Sequence, residues 1–192
     1  MYNLYGQYKR IKNIYEGVLT GKGLQYGGSL VRTEATGYGL LYFMDAMLKN
    51  HDKSIAGARI VISGSGNVSI YAAEKAQQLG AKVVAVGDSC GYVYDPNGID
   101  LATVKRIKEV ERGRICEYVQ CHCDATHHDD CTDIWSIPCD IALPCAAENE
   151  ITGEIAQKLV ANGCYAVGEG ANMPSTPEAI KVFQENKILF GP

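Results

Sequence analysis

The chain has 192 residues, 46% of them hydrophobic and 21% charged, the proportions of a globular domain and not of a disordered chain. Eighteen basic residues stand against 22 acidic, a net charge of −4, which argues against nucleic acid, a partner that wants a basic face. No apolar run approaches the roughly 18 residues needed to span a bilayer.

In chain order, Tyr2 to Leu19 and Glu34 to Asn50 read as helices. Ala58 to Ser63 and Lys82 to Asp88 are continuous apolar runs rich in β-branched residues, as expected of strands covered on both faces. Between them Val68, Ala72, Ala76 and Leu79 fall near helical spacing, and Gly80 stops the run. This is a βαβ unit with a right-handed crossover. Tyr92 to Tyr94 reads as a short hairpin arm, followed by a turn at Asp95-Pro96-Asn97-Gly98. Ile99 to Tyr118 reads as an amphipathic helix, Cys139 to Leu143 as a buried strand and Asn149 to Asn162 as a helix. Cys164 to Gly168 is a strand, Pro174 to Asn186 a helix, and Lys187 to Phe190 a last strand. The alternation predicts a Rossmann-like, doubly wound, mostly parallel sheet with helices on both faces. Residues 1–192 are expected to form one such domain, with 1–50 as leading helices.

Gly64-Ser65-Gly66-Asn67-Val68-Ser69 follows the first strand and opens the helix. Gly64 permits a tight turn, Gly66 lets a pyrophosphate approach the backbone, and the helix-start N–H groups hold its charge. Ser69 takes the third glycine position, where a small side chain still allows helix and strand to pack closely. Asp88 ends the second strand 22 residues past Gly66, where an acid reaches a ribose hydroxyl in dinucleotide sites. A bare acid there favours NAD. Ser89 could instead donate to the extra phosphate of NADP, with Lys105, Arg106, Lys108, Arg112 and Arg114 following; the plainer reading of that cationic run is a solvated face paired with Glu109 and Glu111.

Four segments together resemble the hexameric glutamate dehydrogenases: Gly21 to Gly39 (GKGLQYGGSLVRTEATGYG), Gly64 to Val68, Asp140 to Ala146 (DIALPCA), and Glu169 to Pro174 (EGANMP). The resemblance runs nearly end to end. It implies reversible oxidative deamination of L-glutamate to 2-oxoglutarate and ammonia, with hydride exchanged with a nicotinamide. It implies that Thr36 holds the nicotinamide carboxamide and that Arg32 lies near the substrate. Gly64, Ser65, Gly66, Asn67 and Val68 would cradle the pyrophosphate, and Asp88 and Ser89 would face the adenine ribose. Ala146, Asn149 and Asn172 would line the cleft near the nicotinamide ribose. From the residues alone, Asn149 and Asn172 read first as helix N-caps; the resemblance favours cofactor contact for Asn172 and leaves Asn149 open between the two. Asp88-Ser89-Cys90-Gly91 is more similar to the NADP-using members, which tilts the expected cofactor to NADP with NAD as the alternative. Thr33 departs from the usual proline, and Ala147-Glu148 from a threonine–glutamine pair.

The family's substrate lysines and proton-moving aspartate precede a segment similar to Gly6 to Arg10, so the chain resembles the cofactor domain, inactive by itself, of a full-length homohexamer. Related leucine, phenylalanine and valine dehydrogenases, or a short dinucleotide-sensing module, are the competing readings. No signal peptide is visible, and the eight scattered cysteines read as reduced thiols of a cytoplasmic protein. Cys121 to Cys131 holds three cysteines and three histidines, but without the paired knuckles of a zinc site; an ordinary variable strand and loop is expected. Cys145, beside the expected cleft, could be a reactive thiol.

Overall fold

The computed structural model describes residues 2–13, 23–30 and 33–192, and the chain divides into two units, 1–35 and 36–192. In the first, helix α1 (Tyr2–Lys12) ends earlier than expected. Asn13 turns left-handed at φ 51°, and its amide donates to the Lys9 carbonyl at 2.9 Å. Residues 14–19 of the predicted helix lie outside the described residues. A single 3-10 turn, Leu24–Tyr26, closes on Gly27, and the Tyr5 and Tyr26 rings meet edge to face at 5.8 Å.

The second unit runs α2 (Ala35–Lys49), β1 (Arg59–Ile62), α3 (Asn67–Gln78), β2 (Lys82–Asp88), β3 (Gly91–Tyr94), α4 (Leu101–Lys105), β4 (Thr126–His128), β5 (Ile141–Leu143), α5 (Gly153–Ala161), β6 (Ala166–Gly168), α6 (Pro177–Glu185) and β7 (Leu189–Gly191). The seven strands lie in the order β4-β3-β2-β1-β5-β6-β7. Strands β2, β1, β5, β6 and β7 are parallel. β3 turns back antiparallel on β2, and β4 runs antiparallel to β3.

Side-chain alternation along the strands explains why the parallel strands are apolar throughout. Ile60, Ile62, Ile141, Leu143 and Ala166 face a core shared with Leu41, Met44, Ile70, Ala73 and Val104 of α2, α3 and α4. Val61, Ala142 and Val167 face the opposite core, with Leu159, Phe183 and Trp135 from the α5 and α6 side. Both faces are covered, as the doubly wound expectation requires. Each fully buried Val, Leu, Ile, Met or Phe among them contributes about 1.5–3 kcal/mol. A register shift between Ile60 and Val61, which pair with Val83 and Ala85, leaves Val84 as an extra residue in β2. Val84 and Ala85 therefore point to the same core, as a bulge demands.

Three helices of the second unit differ from expectation. The stretch read as one helix over 99–118 keeps regular geometry only to Lys105. A widened π turn follows at Arg106–Glu111, then left-handed Arg112 (φ 53°) and a 3-10 segment, Ile115–Gln120. Tertiary anchors override the helical period. The buried Tyr118 hydroxyl donates to Asp95 at 3.1 Å and accepts from the Asp100 amide at 2.8 Å. The next helix starts at Gly153 and not Asn149, with the Thr152 hydroxyl as its cap. The last starts at Pro177 behind the Thr176 cap, because residues 174–176 are drawn into backbone bonds with Ile151.

Candidate functional site

β1 is flanked by β2 on one side and β5 on the other, so the chain winds away from it in both directions. Ligands of open α/β sheets sit outside the strand carboxyl ends at such a switch point. A cleft of about 770 Å³ lies there, lined by the turn after β1, the ends of β2 and β5, and Ile134, Trp135 and Ile155. That volume is in the range of cofactor sites.

The turn from β1 into α3 explains its own residues. Gly64 is left-handed at φ 79°. A Cβ placed on it would stand 2.7 Å from the Ser69 hydroxyl and 3.3 Å from the Ala146 Cα. Ser69 is buried, and its hydroxyl donates to the Ser63 carbonyl at 2.9 Å, so serine at this position ties helix to strand where a third glycine would merely let them approach. Gly66 differs. Its φ of −86° suits any residue, and a Cβ there would meet nothing within 4 Å. Protein packing gives no reason for glycine at 66, where the space beside the backbone is open. The N-cap residue of α3, Gly66, has no side chain to cap it, and the helix's first turn carries no acid. That leaves a helix N-terminus suited to an anion.

At the end of β2, Asp88 is engaged internally. One carboxylate oxygen accepts from the Cys90 amide at 2.8 Å. The other accepts from Lys108 at 2.9 Å and the Ile115 amide at 3.0 Å. Burial pushes the Asp88 carboxyl up, but the Lys108 ammonium and the two amides outweigh it and hold it below its ordinary value. Lys108 also donates to the Gly113 carbonyl, while Arg114 donates to the Ser89 hydroxyl at 2.8 Å. Ser89, Lys108 and Arg114 thus form a donor-rich corner of the cleft. The solvated-face reading holds for Arg106, paired with Glu111 at 3.6 Å, and fails for Lys108, which turns inward to Asp88; Arg114 is exposed but bonds Ser89, not Glu109 or Glu111. Lys105 pairs with Glu74.

Two loops close the other side. The Gly170 and Ala171 amides donate to the Pro144 carbonyl at 2.9 and 3.0 Å, and the Asn149 amide to the Met173 carbonyl at 2.9 Å. Asn149 is left-handed at φ 56° and caps nothing. Neither does Asn172, since Thr176 caps α6. Glu150, which sequence reasoning missed, lines the cleft. It accepts from the Ser63 hydroxyl at 2.9 Å and the Ala146 and Ala147 amides at 3.2 and 3.4 Å. Burial pushes its carboxyl up against the pull of these bonds. Cys145 is buried, and desolvation, with Glu150 close by, pushes its thiol far up. The expectation of a reactive thiol is corrected, since the nucleophile is the thiolate.

Of the residues singled out from sequence, Gly64, Ser65, Gly66, Asp88, Ser89, Ala146 and Asn149 line this one cleft. Asn67 and Val68 follow as the first residues of α3, Thr36 stands in the first turn of α2, and Asn172 is exposed beside left-handed Met173; none of these four lines the cleft. Arg32 lies outside the described residues. The cysteine–histidine stretch forms edge strand β4 and its flanks. His122 stacks on Tyr118 and His128 on Tyr92, at 4.1 and 4.7 Å. Among the described residues no three histidine, cysteine or acidic side chains are grouped to hold a metal ion. Cys131 and Thr132 reach the cleft wall.

The fold and this turn define a class: doubly wound α/β domains with a glycine turn at the switch point of the sheet. The family model for glutamate/leucine/phenylalanine/valine dehydrogenases matches residues 27–192, and the chain belongs to that family. It is 50% identical over 192 residues to the NAD(P)-specific glutamate dehydrogenase of Xylanibacter ruminicola, covering 98% of this chain and 43% of that protein. It is 47% identical over 190 residues to the NADP-specific glutamate dehydrogenase of Escherichia coli, covering 97% and 42%. The crystal structure of Plasmodium falciparum glutamate dehydrogenase superposes with a TM-score of 0.89 at 45% identity, over 98% of this chain and 41% of that one. A hetero-hexameric glutamate dehydrogenase from Thermus thermophilus superposes at 0.83 and 28% identity, over 98% and 42%. The chain therefore spans less than half the length of these relatives.

Proposed function

We propose that these residues are the NADP-binding part of a glutamate dehydrogenase, which interconverts L-glutamate and 2-oxoglutarate with ammonia. The observation that carries the reading is the paired glycines: Gly64 is required by the backbone, whereas Gly66 keeps clear a space that the protein does not fill. A pyrophosphate fits there against the α3 N-terminus. Bound NADP supplies the hydride acceptor of the reaction, and NADPH the donor.

The chain's own residues divide the remaining work. Gly64, Ser65, Gly66, Asn67 and Val68 hold the pyrophosphate, and Ile134 and Ile155 give the cleft an apolar wall for a flat base. Ser89, Lys108 and Arg114 hold the ribose phosphate through charge-assisted bonds. Asp88 acts through Lys108: its charge is compensated, so it orients the ammonium and does not repel the phosphate. That accounts for an acid at the end of β2 in an NADP site, and favours NADP over NAD. Ala146 and Asn149, which line the cleft, serve the nicotinamide half, and the family resemblance assigns Asn172 and Thr36 to the same half. Glutamate binding and proton transfer are shared with the rest of a protein whose relatives are more than twice this length. The whole protein is read as a homo-oligomer; the hetero-hexameric Thermus thermophilus relative supports assembly into an oligomer, not its composition.

An amide-shift map of the isotope-labelled chain tests the assignment. Adding NADP is expected to move Gly64 to Val68, Ser89, Arg114 and Ala146 to Asn149. Shifts confined to the β4 edge or α6 would refute it.

A further inference from the structure

We propose that Glu150 positions the Cys145–Ala147 backbone as the wall of the cleft against the nicotinamide half of the dinucleotide. The proposal rests on the dinucleotide reading above. Three successive amides after β5 are held from one direction. The Cys145 amide donates to the Ser63 hydroxyl at 2.8 Å, and the Ala146 and Ala147 amides donate to Glu150 Oε1. The Ser63 hydroxyl donates to the same oxygen at 2.9 Å. One carboxylate oxygen therefore ties the end of β1 to the loop after β5, the two elements on either side of the switch point.

The local chain is shaped to deliver that oxygen. Asn149, left-handed at φ 56°, folds the backbone over, so that residue 150 reaches back to 146. Ile151 is fully buried and bridges Ser175 in parallel, which anchors the residue from behind. No bond to Glu150 Oε2 is seen among the described residues, so the whole bracing load falls on Oε1.

The wall matters because it touches the phosphate turn. The Ala146 Cα and Cβ both lie 3.3 Å from the position of a Cβ on Gly64. Displacing Ala146 changes the width of the cleft beside the pyrophosphate and beyond it toward Asn149. It leaves untouched the Ser89–Lys108–Arg114 corner, which belongs to β2 and the turns after α4. A brace serving only stability would weaken binding of every ligand alike; a wall for one half of the dinucleotide would not.

Two ligands separate these cases: NADPH, and 2′,5′-ADP, which carries only the adenosine half. Calorimetric titration of the wild-type chain is expected to show both binding. Glu150→Ala is expected to lose about 10-fold or more for NADPH, the scale of a lost hydrogen bond to a charged group. It should lose less than about 2-fold for 2′,5′-ADP. Glu150→Gln keeps an acceptor oxygen for Ser63 and the two amides, and is expected to restore NADPH affinity to within about 3-fold of wild type. If Glu150→Ala fails to fold, Ser63→Ala removes one spoke of the same hub and is expected to show the same ligand-selective loss. Equal loss for both ligands, or unchanged NADPH affinity, would overturn the proposal. Wild-type protein that binds neither ligand would overturn the dinucleotide reading, and the proposal with it.

Discussion

Gly66→Ala is expected to abolish tight NADP binding while the protein stays folded, and Gly64→Ala to damage both fold and binding. At Gly66 the backbone is ordinary and the added methyl meets no protein atom within 4 Å. The stability cost is that of a poorer N-cap, about 0.5–1 kcal/mol. The methyl occupies the space assigned to the pyrophosphate. Overpacking of that kind costs about 1–3 kcal/mol, or about 5- to 150-fold in affinity. At Gly64 a left-handed alanine costs about 1–2 kcal/mol, and the 2.7 Å approach to the Ser69 hydroxyl adds about 1–3 kcal/mol of overpacking. Denaturant titration beside calorimetry reads both quantities. Wild-type affinity in Gly66→Ala would remove the pyrophosphate from this turn.

The second large effect concerns cofactor choice. Arg114→Ala should cut NADP affinity by about 10-fold or more, the scale of one charge-assisted hydrogen bond, and leave NAD affinity and stability nearly unchanged. Lys108→Met should go further. It removes a phosphate partner and leaves Asp88, now without its cation, facing the same corner, so preference should swing to NAD. It should also destabilise the fold by about 1–3 kcal/mol, because a mostly buried carboxylate loses its charged donor. The pH signature has a definite sign. The depressed carboxyl of wild-type Asp88 contributes stability that is complete above the unfolded value of about 3.9. That contribution is lost as pH falls through the lower folded value. Without Lys108, burial is opposed only by the two amides, and this acid-labile contribution should shrink. Equal losses for NADP and NAD in Arg114→Ala would contradict a phosphate-reading role.

What the sequence revealed followed from local rules. Strand β2 ends at Asp88, where the apolar run ends, because full burial leaves no room for polar residues between Val83 and Gly87. The glycine turn was legible because the φ of Gly64 and the empty space at Gly66 are properties of those residues themselves. The misread positions depend on partners far along the chain. Residues 99–118 have helical composition, but Tyr118 is held by Asp95 and Lys108 by Asp88, contacts 23 and 20 residues apart in sequence. Periodicity carries no trace of such anchors. Asn149 resembled a helix cap by type alone, whereas Thr152 ahead of Gly153-Glu154 and Thr176 ahead of Pro177 were the better cap signals. Glu150 was missed because its direction is set by a left-handed residue before it and a bridge to Ser175 behind it. The only clue in sequence was an acid standing between the end of a buried strand and the next helix.

The central claim is that the corner made by Ser89, Lys108 and Arg114, and not a free Asp88, reads the cofactor. Calorimetric titration of the wild-type chain with NADP and NAD, side by side at one ionic strength, tests it most directly. Tighter binding of NADP, by about 10-fold or more, is the predicted result. Tighter binding of NAD would mean that Asp88 turns from Lys108 to take a ribose hydroxyl, and would contradict the account.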